Sequence, residues 1–180
     1  MIKTKLRNKI LHLRKFNSYR GLKIDPRKIF SVIKKNKINF KIIGGYYPCN
    51  YEVDDIEILK YFRKKNASIS LPIIRKKNQM DFFEWLIDDP IKINKYGIAE
   101  PISSKKVFPD LIFVPMVGYD NFLNRLGYGG GYYDRYIKKI SRVKKIVKVG
   151  LAFSFQYLDR IPIDKHDKKL DVIITEKGIF

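Results

Sequence analysis

One run of the sequence, residues 124–134, combines residue types that suit a phosphate group. It reads NRLGYGGGYYD, with four glycines among eleven residues. Glycines let a backbone approach phosphate oxygens closely, because no Cβ intervenes. Arg125 adds a rigid cationic fork, and the carboxylate of Asp134 is a hard oxygen ligand that can bind magnesium together with phosphate oxygens. The run therefore predicts a loop that binds a magnesium-bound phosphate.

The segments on either side of the run support this interpretation. Residues 111–114 (LIFV) are a short apolar stretch ended by Pro115, as expected of a fully buried strand, and a helix is predicted over 132–140. In α/β folds, ligands bind beyond the carboxyl ends of the strands. A helix start also offers free N–H groups and a partial positive charge, which favour an anion.

The run matches neither of two widespread phosphate motifs. A Walker loop ends in Gly-Lys-Ser/Thr, and a dinucleotide fingerprint starting at Gly127 requires a glycine where Tyr132 stands. The flanking strand and helix disfavour a disordered glycine-tyrosine tract of the RNA-binding kind. A structural turn whose tyrosines fill the core stays open as an alternative.

Composition limits the class of protein. The chain has 180 residues, 45 % of them hydrophobic, which suits one domain with a packed core. Cys49 is the single cysteine and the two histidines are far apart in sequence, so neither a disulfide nor a zinc cluster is expected. No stretch has the length of a signal peptide core or a membrane span. We expect a cytoplasmic protein with no membrane partner.

The net charge of +20 raises a second class of function. Such an excess can indicate nucleic acid, an anionic membrane or anionic small substrates as partners, or simply a chain rich in lysine, isoleucine and asparagine throughout. A basic nucleic-acid-binding module is the alternative to an enzyme. The basic residues are dispersed along the chain, however, and no nucleic-acid recognition motif is present, so we expect no nucleic-acid partner. The positive field would still steer polyanions such as ATP.

Periodicity predicts the elements that must position the glycine run. Ile2, Leu6, Ile10 and Leu13 mark an N-terminal amphipathic helix, and Asp25-Pro26 starts a second helix that ends in the polar run 34–37. Further predicted elements are a strand within 38–47, a helix capped by Asp54 or Asp55, strands at 68–74 and 80–87, a long connection over 88–110, and strands at 146–153 and 172–175. The pattern predicts an α/β fold: a single domain over residues 1–180, built as a three-layer sandwich around a twisted, largely parallel sheet.

The sequence also resembles a known family. Residues 124–134, preceded by Val114-Pro115 and Tyr119-Asp120, closely resemble the signature of the 5-formyltetrahydrofolate cyclo-ligase family. The resemblance covers most of the chain. It includes the opening segment KTKLR at 3–7, Tyr46-Tyr47 with residues 52–54, and the pairs His166-Asp167 and Leu170-Asp171.

The resemblance implies a reaction. ATP phosphorylates the formyl oxygen of 5-formyltetrahydrofolate, the neighbouring folate nitrogen attacks, and 5,10-methenyltetrahydrofolate, ADP and phosphate are released. The implied partners are ATP and the folate, the implied cofactor is Mg²⁺, and we expect a monomer. Such a site needs no protein nucleophile, only positioning and electrostatic stabilisation of the transferring phosphoryl group.

The resemblance also implies residue roles. ATP would be bound by two segments: Lys3, Thr4, Lys5, Leu6, Arg7, and Arg125, Leu126, Gly127, Tyr128, Gly129, Gly130, Gly131, Tyr132, Tyr133. Arg125 would also be catalytic. Magnesium would be bound by Asp134 and Asp171, and the folate by Tyr47, Glu52 and Tyr96.

Plainer interpretations of these residues remain. Lys3 and Arg7 suit a solvated helix face, Glu52 suits a helix start, and Asp171 suits a turn before a strand. Tyr96 could simply cover the core. The sequence also departs from the family pattern at three positions: Leu123 stands where relatives often have glycine, Asp55 replaces a threonine, and Tyr96 replaces a tryptophan.

Overall fold

A computed structural model describes residues 2–180, so Met1 of the predicted domain lies outside it. Within this range four α-helices form: α1 (Ile2–Asn17), α2 (Pro26–Lys35), α3 (Ile56–Arg63) and α4 (Tyr132–Ile140). The strands are β1 (Ile42–Gly44), β2 (Ser68–Arg75), β3 (Gln79–Glu84), β4 (Ile91–Ile93), β5 (Ala99–Pro101), β6 (Lys106–Val107), β7 (Leu111–Pro115), β8 (Gly118–Tyr119), β9 (Arg125–Leu126), β10 (Val147–Leu151) and β11 (Val172–Ile174).

Seven of these strands form one central sheet in the order β11-β10-β7-β1-β2-β3-β6. The pairs from β11 through β2 are all parallel, whereas β3 and β6 join antiparallel at one side. The prediction of a largely parallel sheet is therefore confirmed. The strands predicted at 68–74 and 80–87 correspond to β2 and β3, which form an antiparallel hairpin.

Helices cover both faces of this sheet. Leu111 and Phe113 of β7 pack in one cluster with buried residues of α2 and α3, while Ile112 and Val114 pack in another with α4. This alternation follows from the period of two in a strand, and it creates the three predicted layers. Helix α1 packs through Ile10 in a third cluster, which brings it against the start of the glycine run.

Local signals explain the helix boundaries. Asp25 caps α2 by accepting a hydrogen bond from the Arg27 N–H at 2.9 Å, and Pro26 takes the first helical position. Helix α4 follows Gly131, whose φ of 64° lies in the left-handed region that glycine favours. Its observed range confirms the predicted helix over 132–140. No helix among residues 2–180 combines the length and apolarity that crossing a bilayer requires.

The structure corrects two predictions about strands. The connection predicted over 88–110 contains the β4–β5 hairpin and the edge strand β6. This hairpin is held by buried Glu100, which accepts hydrogen bonds from the Ile74 N–H and the Asn94 amide, both at 2.8 Å. The bond to Ile74 joins segments that are distant in sequence, so no local sequence pattern predicts the hairpin. The strand predicted within 38–47 shortens to β1, because the Asp110 carboxylate binds the N–H groups of Lys41 and Ile42.

Candidate active site

A cavity of about 490 Å³ lies at the carboxyl end of the central strands. Pro115 at the end of β7 and Tyr46-Tyr47 after β1 line its floor, and the whole of residues 125–134 lines its wall. This is where ligands bind in open α/β sheets. The glycine run therefore faces a cavity, which disfavours a purely structural turn.

The backbone of the glycine run requires glycine at two positions. Gly129 has a φ of 102° and Gly131 a φ of 64°, both in the left-handed region. A Cβ at Gly131 would also lie 3.0 Å from Nη1 of Arg135. A side chain at either position would strain the loop and narrow the approach to the first turn of α4.

Arg125 and Asp134 form an ion pair in the cavity wall. Nη2 of Arg125 lies 2.7 Å from Oδ2 of Asp134, and their side chains are only 7 % and 16 % exposed. Oδ1 of Asp134 accepts a hydrogen bond from the Lys168 N–H at 3.0 Å. Strand β9, paired with β8, carries Arg125, and the first turn of α4 carries Asp134. The fold therefore fixes a cation and a carboxylate side by side at the helix start.

Helix α1 contributes two cations to the same cavity. Nε of Arg7 donates a hydrogen bond to the Gly127 carbonyl at 2.7 Å, which ties α1 to the glycine run. Nζ of Lys3 lies 2.7 Å from both Asp164 and Asp167. Burial disfavours the Lys3 cation, but the hydrogen bonds to these two carboxylates outweigh it and raise the pKa of Lys3.

Only one side of the opening segment reaches the cavity. Lys3 and Arg7, four residues apart, line it, whereas Thr4, Lys5 and Leu6 do not. Leu6 packs instead with the apolar cluster around Ile10. A helix presents a given face every three or four residues, so Lys3 and Arg7 share the side of α1 that lines the cavity.

Glu52 also lines the cavity and is anchored through both oxygens. Its Oε1 accepts a hydrogen bond from the Tyr128 hydroxyl at 2.8 Å, and its Oε2 accepts one from the Cys49 N–H at 2.9 Å. Burial raises the pKa of Glu52, and these two hydrogen bonds and the charge of Arg14 oppose that shift only in part. Glu52 is thus a shielded acceptor that faces the cavity, which disfavours a simple helix-start charge.

Two tyrosines flank this region. Tyr47 follows β1, and Tyr96 lies in the turn between β4 and β5; both line the cavity. Tyr96 is 52 % exposed, so it does not serve to cover the core. Its hydroxyl is hydrogen-bonded to Tyr132, and this contact, with Lys95, lowers the pKa of Tyr96. The hairpin tip and the glycine run therefore meet at the mouth of the cavity.

Asp171 is not brought to the cavity. Its carboxylate accepts a hydrogen bond from the Lys148 N–H at 2.7 Å and pairs with Nζ of Lys148 at 3.0 Å. Asp171 precedes β11, so it lies at the edge of the sheet where the parallel strands begin. The cavity lies at the other edge, so a role for Asp171 in magnesium binding gains no support from its position.

The three departures from the family pattern have structural counterparts. Leu123 has a φ of 63°, so the backbone keeps the glycine-type conformation at a cost of about 1–2 kcal/mol. Asp55 is fully buried, and its Oδ2 accepts a hydrogen bond from the Tyr46 N–H at 2.8 Å, which orders the segment before Tyr47. Tyr96 forms the hairpin contact described above.

Comparison with known proteins points to one family. Residues 2–176 match the model of the 5-formyltetrahydrofolate cyclo-ligase family. The Mus musculus 5-formyltetrahydrofolate cyclo-ligase is 44 % identical over 153 residues, which cover 77 % of this chain and 74 % of that protein. The Haemophilus influenzae 5-formyltetrahydrofolate cyclo-ligase is 32 % identical over 142 residues, covering 74 % and 75 %.

Solved structures show the same likeness. The NMR structure of Aquifex aeolicus 5,10-methenyltetrahydrofolate synthetase matches with a TM-score of 0.80 and 33 % identity, covering 99 % of this chain and 92 % of that one. The 5,10-methenyltetrahydrofolate synthetase from Mycoplasma pneumoniae matches with a TM-score of 0.72 and 25 % identity, covering 98 % and 99 %. The fold and the family resemblance expected from the sequence are thereby confirmed.

Proposed function

The chain belongs to the 5-formyltetrahydrofolate cyclo-ligase family, and on that premise we propose that the cavity lined by residues 125–134 binds ATP and 5-formyltetrahydrofolate side by side. The enzyme is a ligase that cyclises 5-formyltetrahydrofolate to 5,10-methenyltetrahydrofolate with consumption of ATP. One observation carries the assignment of the site: a single cavity joins a glycine loop with the Arg125–Asp134 pair to a shielded carboxylate, Glu52.

The phosphates of ATP lie along the glycine run. The N–H groups at the start of α4 and the Arg125 guanidinium supply donors, and Lys3 and Arg7 supply charge from α1. Leu126, Gly130 and Tyr133 complete the wall around the nucleotide. A backbone that is held open by Gly129 and Gly131 admits phosphate oxygens where a Cβ would exclude them.

The folate lies toward Glu52. Each carboxylate oxygen of Glu52 accepts a hydrogen bond from the protein, and a carboxylate has about four lone-pair sites, so capacity to accept further hydrogen bonds remains. Those lone pairs suit the adjacent ring N–H and amino donors of a pterin. Tyr47 and Tyr96 offer aromatic faces for stacking on the pterin ring.

The chemistry follows from this placement. The formyl oxygen attacks the γ-phosphorus of ATP, the bond to ADP breaks, and a phosphorylated iminium forms. The folate nitrogen at position ten then adds to the formyl carbon and loses its proton, and phosphate leaves with the former formyl oxygen. Arg125 stabilises the charge on the transferring phosphoryl group. The Cys49 thiol takes no part as a nucleophile, because burial, followed by the charge of Glu52, raises its pKa to about 12.

Magnesium fits the site through Asp134. No group of three or more Asp, Glu, His or Cys residues gathers as a metal cage among residues 2–180. Mg²⁺ in nucleotide sites, however, is usually held by one or two carboxylates together with phosphate oxygens and waters. Asp134 provides such a carboxylate beside the glycine run. When bound, the ion neutralises charge on the β- and γ-phosphates.

An isotope experiment tests the phosphorylation route. The substrate is prepared with ¹⁸O in its formyl group, and the phosphate released during turnover is analysed by mass spectrometry. We expect one labelled oxygen per phosphate, because the formyl oxygen becomes a phosphate oxygen. Unlabelled phosphate, formed together with methenyl product, would contradict the proposed route.

A further inference from the structure

Arg14 is a buried cation that the reaction scheme above does not use. It lies in the last turn of α1 with only 1 % of its surface exposed. Its Nη2 donates a hydrogen bond to the Met116 carbonyl, at the end of β7, and the Gln156 amide donates to the same carbonyl at 2.9 Å. None of the ion pairs formed within residues 2–180 includes Arg14. Burying a guanidinium without a direct counter-ion costs stability, so a functional role for Arg14 would account for its position.

The other side of Arg14 contacts the glycine run. Its Nη1 donates to the Tyr128 hydroxyl at 2.5 Å, and that hydroxyl donates to Oε1 of Glu52 at 2.8 Å. A guanidinium can only donate, and a tyrosine hydroxyl has one proton. Arg14 therefore fixes the direction of the chain of hydrogen bonds, because the oxygen of Tyr128 accepts from Arg14 and its proton is left for Glu52.

Tyr128 joins two parts of the cavity, the glycine run and Glu52, through its hydroxyl. Its backbone lies between Gly127 and Gly129, in the loop assigned to the nucleotide, while its hydroxyl ends on the carboxylate assigned to the folate. Glycines restrain a backbone weakly, so a nucleotide that orders the loop also orders Tyr128. An ordered Tyr128 in turn fixes Glu52 for the second ligand.

We propose that Arg14 is a positioning residue, which acts through the Tyr128 hydroxyl to make the nucleotide loop and Glu52 one binding unit, so that nucleotide and folate strengthen each other's binding. The inference rests on the proposed function, since it takes the cavity to hold both ligands. Coupling of this kind is reciprocal: each ligand changes the affinity of the other by the same factor.

Calorimetric titration measures that factor. The dissociation constant of 5-formyltetrahydrofolate is determined with and without saturating adenylyl imidodiphosphate, a non-hydrolysable ATP analogue, and Mg²⁺. For the wild type we expect the analogue to tighten folate binding about fivefold or more. Tyr128→Phe and Arg14→Met should reduce this factor to below about twofold. Lys15→Met, which removes one exposed charge from the same helix, should leave it unchanged.

The pH profile distinguishes this role from a merely structural one. Glu52 must be ionised to accept the donors of the folate, and the charge of Arg14 and the Tyr128 hydroxyl both oppose protonation. Arg14→Met and Tyr128→Phe should therefore shift the acid limb of kcat/KM for the folate to higher pH. The titratable groups that act on Glu52, or are acted on by it, are Cys49, Tyr46, Asp55, Tyr128 and Tyr133, together with the Arg14 cation.

Three outcomes would overturn the inference: no coupling in the wild type, equal coupling in the wild type and Tyr128→Phe, or an acid limb that stays in place. Tyr128→Phe keeps the ring and removes only the hydroxyl, so it carries the test if Arg14→Met does not fold. If the wild type forms methenyl product and any of these outcomes is observed, the inference is wrong and the proposed function stands. A wild type that forms no product contradicts the proposed function.

Discussion

Replacing Asp134 by asparagine tests the ion pair at the centre of the site. The substitution removes one negative charge and keeps the shape of the side chain. It leaves the Arg125 guanidinium, whose side chain is 7 % exposed, without its counter-ion. The Nε of Arg125 has no hydrogen-bond partner among the described residues either, so the buried cation would be poorly compensated. Both stability and turnover should therefore fall.

The expected loss of stability follows from this burial. Removing one partner of a buried ion pair costs about 3–5 kcal/mol. Asparagine keeps one acceptor oxygen, which can replace either the contact with the Lys168 N–H or the contact with Arg125, but not both, so we expect a loss of about 3 kcal/mol. In a domain of this size, that lowers Tm by about 5–10 °C. Turnover, measured well below Tm, should fall about 100-fold or more, which corresponds to about 2.7 kcal/mol of lost transition-state stabilisation.

Asp81 offers a matched control outside the cavity. Its side chain is 14 % exposed, against 16 % for Asp134, and it pairs with Lys106 at 2.9 Å and Lys139 at 2.8 Å. Asp81→Asn should also lower Tm, by a smaller amount since both lysines are more exposed than Arg125, and it should leave turnover unchanged. The reasoning is refuted if Asp134→Asn turns over within about twofold of the wild type, or if Asp81→Asn loses as much activity.

Two further substitutions probe the loop and the wall behind it. A Cβ at Gly127 would lie 2.8 Å from Nη1 of Arg125, so Gly127→Ala should displace the guanidinium and lower kcat at least tenfold. Gly178→Ala is the control, because a Cβ there would have its nearest neighbour at 3.7 Å, and it should change neither activity nor Tm. Equal kcat values for the two variants would contradict this prediction. Burial raises the pKa of Asp55 well above its usual value, and the Tyr46 N–H opposes this only in part. The folded protein then binds a proton that the unfolded chain releases, so wild-type stability should fall as pH rises above about 4, more steeply than that of Asp55→Asn. Parallel curves of Tm against pH for the two proteins would show that Asp55 is ionised in the folded state.

Much of the fold follows from local patterns in the sequence. The apolar run ended by Pro115 predicted β7, and the step from glycines to a periodic pattern predicted α4 over 132–140. These signals lie within a few residues of the elements that they specify. The hairpin between residues 91 and 101 escaped prediction because buried Glu100 holds it to β2 through the Ile74 N–H, a contact between distant segments.

The site was predictable where it lies in a contiguous run and not where it depends on tertiary contacts. The positions of Arg125 and Asp134 in the cavity wall agree with the expectation from the glycine run. Arg14 gave no such signal, because an arginine on a basic helix usually points to solvent, and its partners Tyr128 and Met116 are more than 100 residues away. The same limit applies to Asp171, whose neighbour Lys148 is set by strand register.

Formation of the methenyl product tests the central claim most directly. Purified protein is mixed with 5-formyltetrahydrofolate and magnesium-ATP, the methenyl chromophore is followed by absorbance, and ADP is quantified in the same samples. The account predicts ATP-dependent product, with one ADP formed for each methenyltetrahydrofolate. No product, or product that forms equally well without ATP, would contradict it.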